Sequence, residues 1–352
     1  MQAKHMPLHC SRKLVTTRVN RFSYHVTKYF AEYLPLHIGA SKNTCRSYRD
    51  AFIQLLWFIE DTRRINPEKI ELGTIRVDDV ERFLLYLEEN KGVGISTRNQ
   101  RLAAIHSFFR YLQKKELPCF GQCSEILAVP FKKKPSLAMT YLSIDEMKVV
   151  FSVPNTKSRK GLRDLTILTV LYETGARVQE LIDLTPAHMS IDGEIPYVEL
   201  RGKGNKVRRV PIAAEVAAIL RSYMDAFHIR SDNEALFTNQ QGGKLTRVGV
   251  QYIVNKNLNL AEQKAPGLRK RKITNHSFRH SKAMHLLEAG VNLIYIRDFL
   301  GHSSVTTTEI YAKTNPDIKR KILTENNLAA HASIHYDMKE KEDLLEWLKN
   351  NL

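Results

Sequence analysis

The sequence predicts a mainly α-helical protein with a small β-sheet, divided into an N-terminal helical bundle and a C-terminal α+β domain. Apolar residues recur every three or four positions in several segments before residue 117, which is the period of amphipathic helices. A segment rich in proline and lysine follows. Helical periods then resume, except that two short runs within residues 197–212 look like strands joined by a glycine-bearing turn.

Length and charge restrict the class of partner. The chain has 352 residues, enough for two domains, and its 54 Lys and Arg exceed its 37 Asp and Glu to give a net charge of +17. DNA, RNA and an anionic membrane all suit such a charge. A membrane is disfavoured because the chain has no apolar run of about 18 residues and no N-terminal signal with an apolar core.

The N-terminal part is predicted to be a helical DNA-binding domain. Residues 1–18 are polar and basic without a clear period, and we expect them to be flexible. Residues 19–117 form the domain, and Ser41 or Asn43 is a candidate helix cap. The predicted helices cover 19–36, up to a break at Pro35, then 44–60, 77–89 and 96–115.

Polar residues at helix starts and on outward faces form a candidate DNA-binding set in this domain. Helix N-termini and arginines both suit phosphate oxygens, although a solvated charged face is the alternative for each residue. The set comprises Lys42, Thr44, Arg46, Arg49, Thr97, Arg98, Arg101 and Arg110.

An interdomain linker is predicted over residues 118–140. The segment contains prolines and glycine or serine breaks. It also carries Lys132, Lys133 and Lys134, which would either follow a nucleic-acid backbone or keep a flexible segment in solution.

The C-terminal domain is predicted over residues 141–330, and a tail helix over 331–352. Ser143 and Glu146 form a capping box that opens its first helix. An apolar helix over 161–174 ends at Gly175, and Arg177 opens the next helix three residues before Glu180. The two strands cover 197–200 and 207–212, and Leu236 and Phe237 add a short strand. Further helices are predicted over 213–227, 248–260, 317–330 and 337–352.

The stretch from residue 274 to 311 is the candidate active site. His276, Arg279 and His280 share one face of a helix that runs toward a stop at Gly290. A second helix, over 292–300, ends at Gly301, a residue suited to the left-handed position after a helix. His302 and then Tyr311 follow. Cations that precede this stretch are candidate phosphate contacts, with a solubilising face as the alternative: Arg201, Lys206, Arg269, Lys270, Arg271 and Lys272.

No metal site is expected. His276 and His280 have the spacing of a zinc helix, but Ser277 stands where the catalytic glutamate would be and no third ligand is evident. Cys119 and Cys123 lack a second pair, and together with Cys10 and Cys45 they are typical of thiols in a reducing compartment.

Five ordered motifs resemble the tyrosine recombinases, the phage integrase or Xer-like family. They are TGARVQEL at 174–181, GKGNK at 202–206, HSFRH at 276–280, LGHSS at 300–304 and the tyrosine at 311. The stretches SKNTCRSY and STRNQRLAAIHSFFRYL resemble that family's helical core-binding, SAM-like domain. The resemblance thus implies a SAM-like bundle followed by an α+β catalytic domain.

The resemblance also implies a role for each motif residue. Tyr311 would attack a scissile DNA phosphate to form a 3'-phosphotyrosyl link, and Arg177 and Arg279 would clamp the phosphate oxygens. Lys203 would protonate the leaving 5'-oxygen, His276 would act as acid or base toward the tyrosine hydroxyl, and His302 would donate a hydrogen bond to the phosphate. Glu180 would orient Arg177, and His280 would support the fold or touch the backbone. Arg201, Lys206 and Arg208 lie close enough to Lys203 to be phosphate contacts in its place.

The implied reaction is site-specific DNA recombination through a Holliday junction, independent of metal, ATP and cofactors. The implied partners are a double-stranded site with short inverted repeats and three further copies of the chain, a homotetramer on two DNA sites. The C-terminal helix would close its own domain or pack on a neighbouring subunit. We expect a cytoplasmic, nucleoid-associated protein that integrates, excises or transposes a mobile element or resolves dimers. A type IB topoisomerase and a catalytically silent DNA-binding relative are the alternatives.

Overall fold

The computed structural model describes residues 22–134, 139–302 and 304–314, apart from the side chains of residues 203 and 312–314. The chain divides into two compact units, residues 1–136 and 137–352. The predicted flexible N-terminus at 1–18, the helix at 317–330 and the tail helix at 331–352 lie outside the described residues. Within the part described, no helix is long and apolar enough to cross a membrane.

The N-terminal unit is a helical bundle around an aromatic core. Ser41 caps α2 by accepting a hydrogen bond from the amide of Thr44, as one of the two predicted caps. In the core, the ring of Tyr29 lies edge-on to that of Phe108 at 5.3 Å between centroids. The helices are α1 (Phe22–Lys28), which continues as a π-helical segment (Tyr29–His37), α2 (Lys42–Arg63), α3 (Val77–Glu89), α4 (Ile95–Lys115) and α5 (Phe120–Ala128).

Two predictions in this unit are wrong. Residues 118–128 are not linker, because α5 buries Cys123 and Ile126 in the same core as the other helices. The misleading signal was Pro118, which lies at the start of the 3-10 turn Leu117–Cys119 and there begins a helical segment rather than interrupting one. The first helix also does not end at Pro35, which lies inside the π-helical segment.

The C-terminal unit combines eight helices, among the residues described, with an antiparallel three-stranded sheet of order β1-β2-β3. In the sheet, Val198 pairs with Val210, and Leu200 pairs with Arg208. The elements are α6 (Ile144–Ser152), α7 (Arg159–Glu173), α8 (Val178–Ile182), β1 (Met189–Ser190), β2 (Tyr197–Arg201), β3 (Val207–Pro211), α9 (Ala214–Phe227), α10 (Arg247–Ala261), α11 (Asn275–Glu288), α12 (Leu293–Leu300) and α13 (Thr306–Thr314).

In this unit, the helix start predicted from a capping box is confirmed. The capping box of Ser143 and Glu146 is present at the start of α6. The predicted strand at Leu236 and Phe237 is wrong: both residues lie in a bend, and an isolated bridge pairs Thr238 with Lys244 instead. Strand β1 was not predicted.

A separate apolar cluster under α11, α12 and α13 holds Met284, Ile296, Leu300 and Tyr311.

Candidate active site

Arg177 is positioned by the junction between α7 and α8. Gly175 ends α7 in the left-handed conformation, at φ +57°, and Arg177 is the N-cap of α8. Glu180 is three residues further on, and its Oε2 accepts the backbone amide of Arg177 at 2.9 Å. The same carboxylate holds the guanidinium of Arg177, with Nη1 to Oε1 at 2.8 Å. The predicted orienting contact between Glu180 and Arg177 is therefore present.

Arg208 of β3 is a member of this cluster to which sequence reasoning gave no such role. Its Nη2 lies 2.7 Å from Oε2 of Glu180 and its Nη1 lies 3.1 Å from Oε1, a two-pronged contact in which both side chains are largely buried. Burial alone would raise the pKa of the Glu180 carboxyl. The hydrogen bonds and charges of Arg208 and Arg177 outweigh burial, and the pKa lies below its usual value.

Arg279 is buried, at 2% exposure, without a carboxylate partner among the contacts of the described residues. It donates to the carbonyl of Gly175 and to that of Leu300, each at 2.6 Å. Burial, reinforced by the charges of Arg177 and Arg208, lowers the pKa of Arg279 to about 9, so the guanidinium is still cationic at neutral pH.

Tyr311 lies on α13 with its hydroxyl against α11. The hydroxyl oxygen is 3.1 Å from Nδ1 of His280, and the residue is only 1% exposed. Burial raises the pKa of Tyr311, although Arg279 and Arg177 oppose that shift. His276 stacks on His280 with 5.8 Å between ring centroids. Burial and nearby positive charges hold the pKa of His276 below its usual value and that of His280 at about 4.

His302 reaches the site from the turn after α12. Gly301 adopts φ +64° there, and the amide of His302 closes the turn on the carbonyl of Arg297. Its ring lies parallel to that of Tyr311 at 6.5 Å between centroids, and its Nδ1 is 3.0 Å from Oγ1 of Thr308. Burial, with Arg279 and Arg177 nearby, lowers the pKa of His302 to about 4.

These side chains line a single cleft of about 470 Å³. Arg177, His276, Arg279, His280, His302 and Tyr311 all contribute to it. A neighbouring cleft shares Arg177 and His302 and extends along Gly202, Lys206 and Arg208 of the β2–β3 hairpin. Lys203 is at the tip of that hairpin, in the turn Lys203–Asn205, and its side chain is outside the described residues.

The candidate DNA-binding residues divide into exposed and internally bound ones. Arg98 is only 6% exposed and donates to the carbonyl of Pro130 at 3.0 Å, which disfavours a contact with DNA. Arg101 is half-buried and bonds to Gln54 at 3.1 Å, while Arg271 bonds to the carbonyl of Tyr141 and pairs with Glu146. The exposed members are Lys42, Arg46, Arg49, Thr97, Arg110, Lys132, Lys133, Lys134, Arg201, Lys206, Arg269, Lys270 and Lys272; Thr44 is half-buried.

Two family profiles match the chain. The profile of the phage integrase family matches residues 140–317, and that of the family's N-terminal SAM-like domain matches residues 27–116.

Similar proteins are found by sequence and by fold. Protein y4rC of Sinorhizobium fredii, whose name places it among the integrases and recombinases, is 34% identical over 85% of this chain and 90% of its own. The tyrosine recombinase XerC of Herpetosiphon aurantiacus is 33% identical over 82% of this chain and 90% of its own. The solved Tn1549 transposon integrase in complex with transposon right-end DNA shares the fold, with a TM-score of 0.64 at 17% identity over 86% of this chain and 99% of that one.

The fold and the sequence matches together define an enzyme of site-specific DNA recombination. The chain belongs to the phage integrase family, the tyrosine recombinases. The fold class and the enzyme class that the motifs predict are thereby confirmed, and no comparison favours the topoisomerase or the silent relative.

Proposed function

We propose that Tyr311 is the nucleophile of the recombinase and attacks a DNA phosphate bound in the cleft. The observation that carries this assignment is the position of the Tyr311 hydroxyl, which lies 3.1 Å from an imidazole nitrogen in a cleft lined by Arg177 and Arg279. The product is a 3'-phosphotyrosyl link and a free 5'-hydroxyl. Because the covalent link retains the energy of the phosphodiester, the strand is rejoined without ATP.

The two arginines neutralise the phosphate during attack. Arg177 is fixed by Glu180, and Arg279 by two backbone carbonyls, so both cations are oriented before DNA arrives. Such preorganised charges act where negative charge accumulates in the transition state. His302 donates a hydrogen bond to a phosphate oxygen, Lys203 protonates the leaving 5'-oxygen, and the phenol proton leaves to an imidazole of α11.

The proposed partner is a double-stranded site with short inverted repeats. Four copies of the chain assemble on two such sites and exchange strands through a Holliday junction, with no metal or cofactor. The net charge of +17 and the exposed cations of both units support a DNA partner and an association with the nucleoid.

The test is covalent capture on a nicked duplex. Nicked suicide substrates that tile the DNA flanking the gene are incubated with the full chain in EDTA, and adducts are resolved in SDS. We expect a DNA-linked band with the wild type and none with Tyr311→Phe, which keeps the buried ring but lacks the attacking oxygen.

Tyr295→Phe is the matched control, because Tyr295 is a 71% exposed tyrosine of α12. It should form adduct at the wild-type rate. An adduct that persists in Tyr311→Phe, or one that is lost in Tyr295→Phe, would overturn the assignment of the nucleophile.

A further inference from the structure

His280 occupies the place of a proton acceptor for Tyr311, a role that the motif resemblance gives to His276. Nδ1 of His280 is 3.1 Å from the Tyr311 hydroxyl, and the two ring centroids are 5.8 Å apart. That nitrogen accepts the phenol proton when the imidazole is neutral with its hydrogen on Nε2. The surroundings favour the neutral form, because burial together with His276 and Arg279 lowers the pKa of His280.

The other imidazoles of the cleft are placed differently. His276 stacks against His280 and is exposed to the cleft. Nδ1 of His302 is already hydrogen-bonded to the hydroxyl of Thr308. The charged groups near His280 are Arg279 on its own helix and Arg177 across the cleft, and neither can accept a proton.

We propose that His280 is a further catalytic residue, the base that takes the proton of Tyr311 during cleavage and returns it during rejoining. This inference rests on the proposed role of Tyr311 as nucleophile. As the Tyr311 oxygen forms its bond to phosphorus, its proton passes to Nδ1 of His280. The bond between phosphorus and the 5'-oxygen breaks, and that oxygen receives a proton from the acid of the site. Rejoining reverses each transfer, so His280 ends neutral.

The test compares single-turnover adduct formation by His280→Asn and His276→Asn on the nicked substrate. The asparagine oxygen can stand near the position of Nδ1, so His280→Asn keeps a hydrogen-bond acceptor for Tyr311 but loses the base. A positioned general base contributes roughly 100-fold or more. We therefore expect His280→Asn to slow adduct formation by about that factor at neutral pH, with a melting temperature close to that of the wild type.

The pH profile separates a base from a positioning group. The wild-type rate should be nearly flat above pH 5, because the pKa of His280 is about 4. The His280→Asn rate should instead rise about tenfold per pH unit toward alkaline pH, because its phenol has to ionise by itself. Imidazole added to His280→Ala should restore adduct formation in proportion to its concentration.

Each outcome decides the proposal. An adduct rate in His280→Asn within threefold of wild type, or a His280→Ala enzyme that is folded but not rescued by imidazole, overturns it. The proposal is also overturned if the adduct rate rises with pH in His276→Asn and not in His280→Asn. If Tyr311→Phe forms the adduct as the wild type does, the proposed function itself is refuted.

Discussion

Arg208 illustrates how a residue outside the five motif positions can set the geometry of the site. Its guanidinium contacts both oxygens of Glu180, and its Nε donates to the carbonyl of Phe299 at 3.0 Å. Glu180 in turn holds both the backbone and the side chain of Arg177. Arg208 therefore connects the sheet to Arg177, through Glu180, and to the end of α12.

We expect Arg208→Leu to reduce both stability and adduct formation. Removing one member of a buried ion pair costs up to about 3–5 kcal/mol. The loss here should fall below that limit, because Glu180 keeps Arg177 as a partner. The free energy of unfolding from urea titration and the single-turnover adduct rate measure the two effects. Arg209→Leu is the control: Arg209 pairs with Glu199 while its side chain is 68% exposed, and exposed pairs contribute about 0–1 kcal/mol. Equal losses in the two variants would refute the positioning role.

At the scale of single residues, the sequence predicted which residues line the cleft better than it predicted which of them contact one another. Arg177, Arg279, His302 and Tyr311 were predicted from motifs and lie in one cleft. Arg208 could have been found from alternation, since it lies on the same face of β3 as the buried Val210. The pairing of His280 with Tyr311 joins residues 31 apart on different helices, which no local pattern reveals. The burial of Arg98 was not predicted, because a cation at a helix start carries no local sign of being buried.

At the scale of elements, the site is organised by helix ends. Three successive carbonyls at the end of α12, those of Phe299, Leu300 and Gly301, accept from Arg208, Arg279 and Arg177 respectively. Helix C-termini carry partial negative charge, which stabilises cations placed there. The carbonyl of Gly175, just past the end of α7, gives Arg279 its second partner. For Arg279, two helix ends thus supply the compensation that the carboxylate of Glu180 gives to Arg177 and Arg208.

Gly175→Ala tests this arrangement. A Cβ at Gly175 would lie 2.9 Å from Cε1 of Phe299, in addition to the strain of φ +57° for a residue other than glycine. Left-handed backbone alone costs about 1–2 kcal/mol. We expect a loss of stability above that range and a slower adduct rate, because the carbonyl that holds Arg279 has to shift.

Gly290→Ala provides the comparison for that prediction. Gly290 ends α11 at φ +82°, and a Cβ there would meet nothing within 4 Å. The free energy of unfolding of Gly290→Ala should fall only by the cost of the left-handed backbone, and adduct formation should be unchanged. If the two variants were equally stable and equally active, contact between the α7 turn and α12 would have no part in the site.

Predictions of elements succeeded where capping residues marked the ends. Ser41, Ser143 and Gly301 each begin or end a helix as expected, because their roles depend on hydrogen bonds within a few residues. Helix α5 was missed because Pro118 and Gly121 are typical of a connection. Its helical state depends on burying Cys123 and Ile126 against the rest of the bundle, which is a tertiary effect.

For the whole molecule, the net charge follows directly from the sequence. Which cations are paired with acidic residues and which are exposed depends on the fold. The net charge of +17 follows from composition. Some of these cations are engaged with acidic neighbours, as Arg221 is with Asp192 at 2.6 Å. Others, including Arg269, Lys270 and Lys272, are exposed in the segment before α11.

Two triple variants of equal charge separate these groups. Replacing Arg269, Lys270 and Lys272 by Gln, or replacing Lys148, Arg221 and Arg230 by Gln, lowers the net charge by three in each case; the second group is paired with Asp145, Asp192 and Asp225. Each phosphate contact contributes about −0.9 to the slope of log affinity against log salt. Fluorescence anisotropy on duplex DNA should therefore give a slope shallower by about 2.7 for the first variant only, since the paired cations of the second already have their counter-charge on the protein. Equal slopes for both variants would mean that total charge, and not the basic segment before α11, determines binding to the DNA backbone.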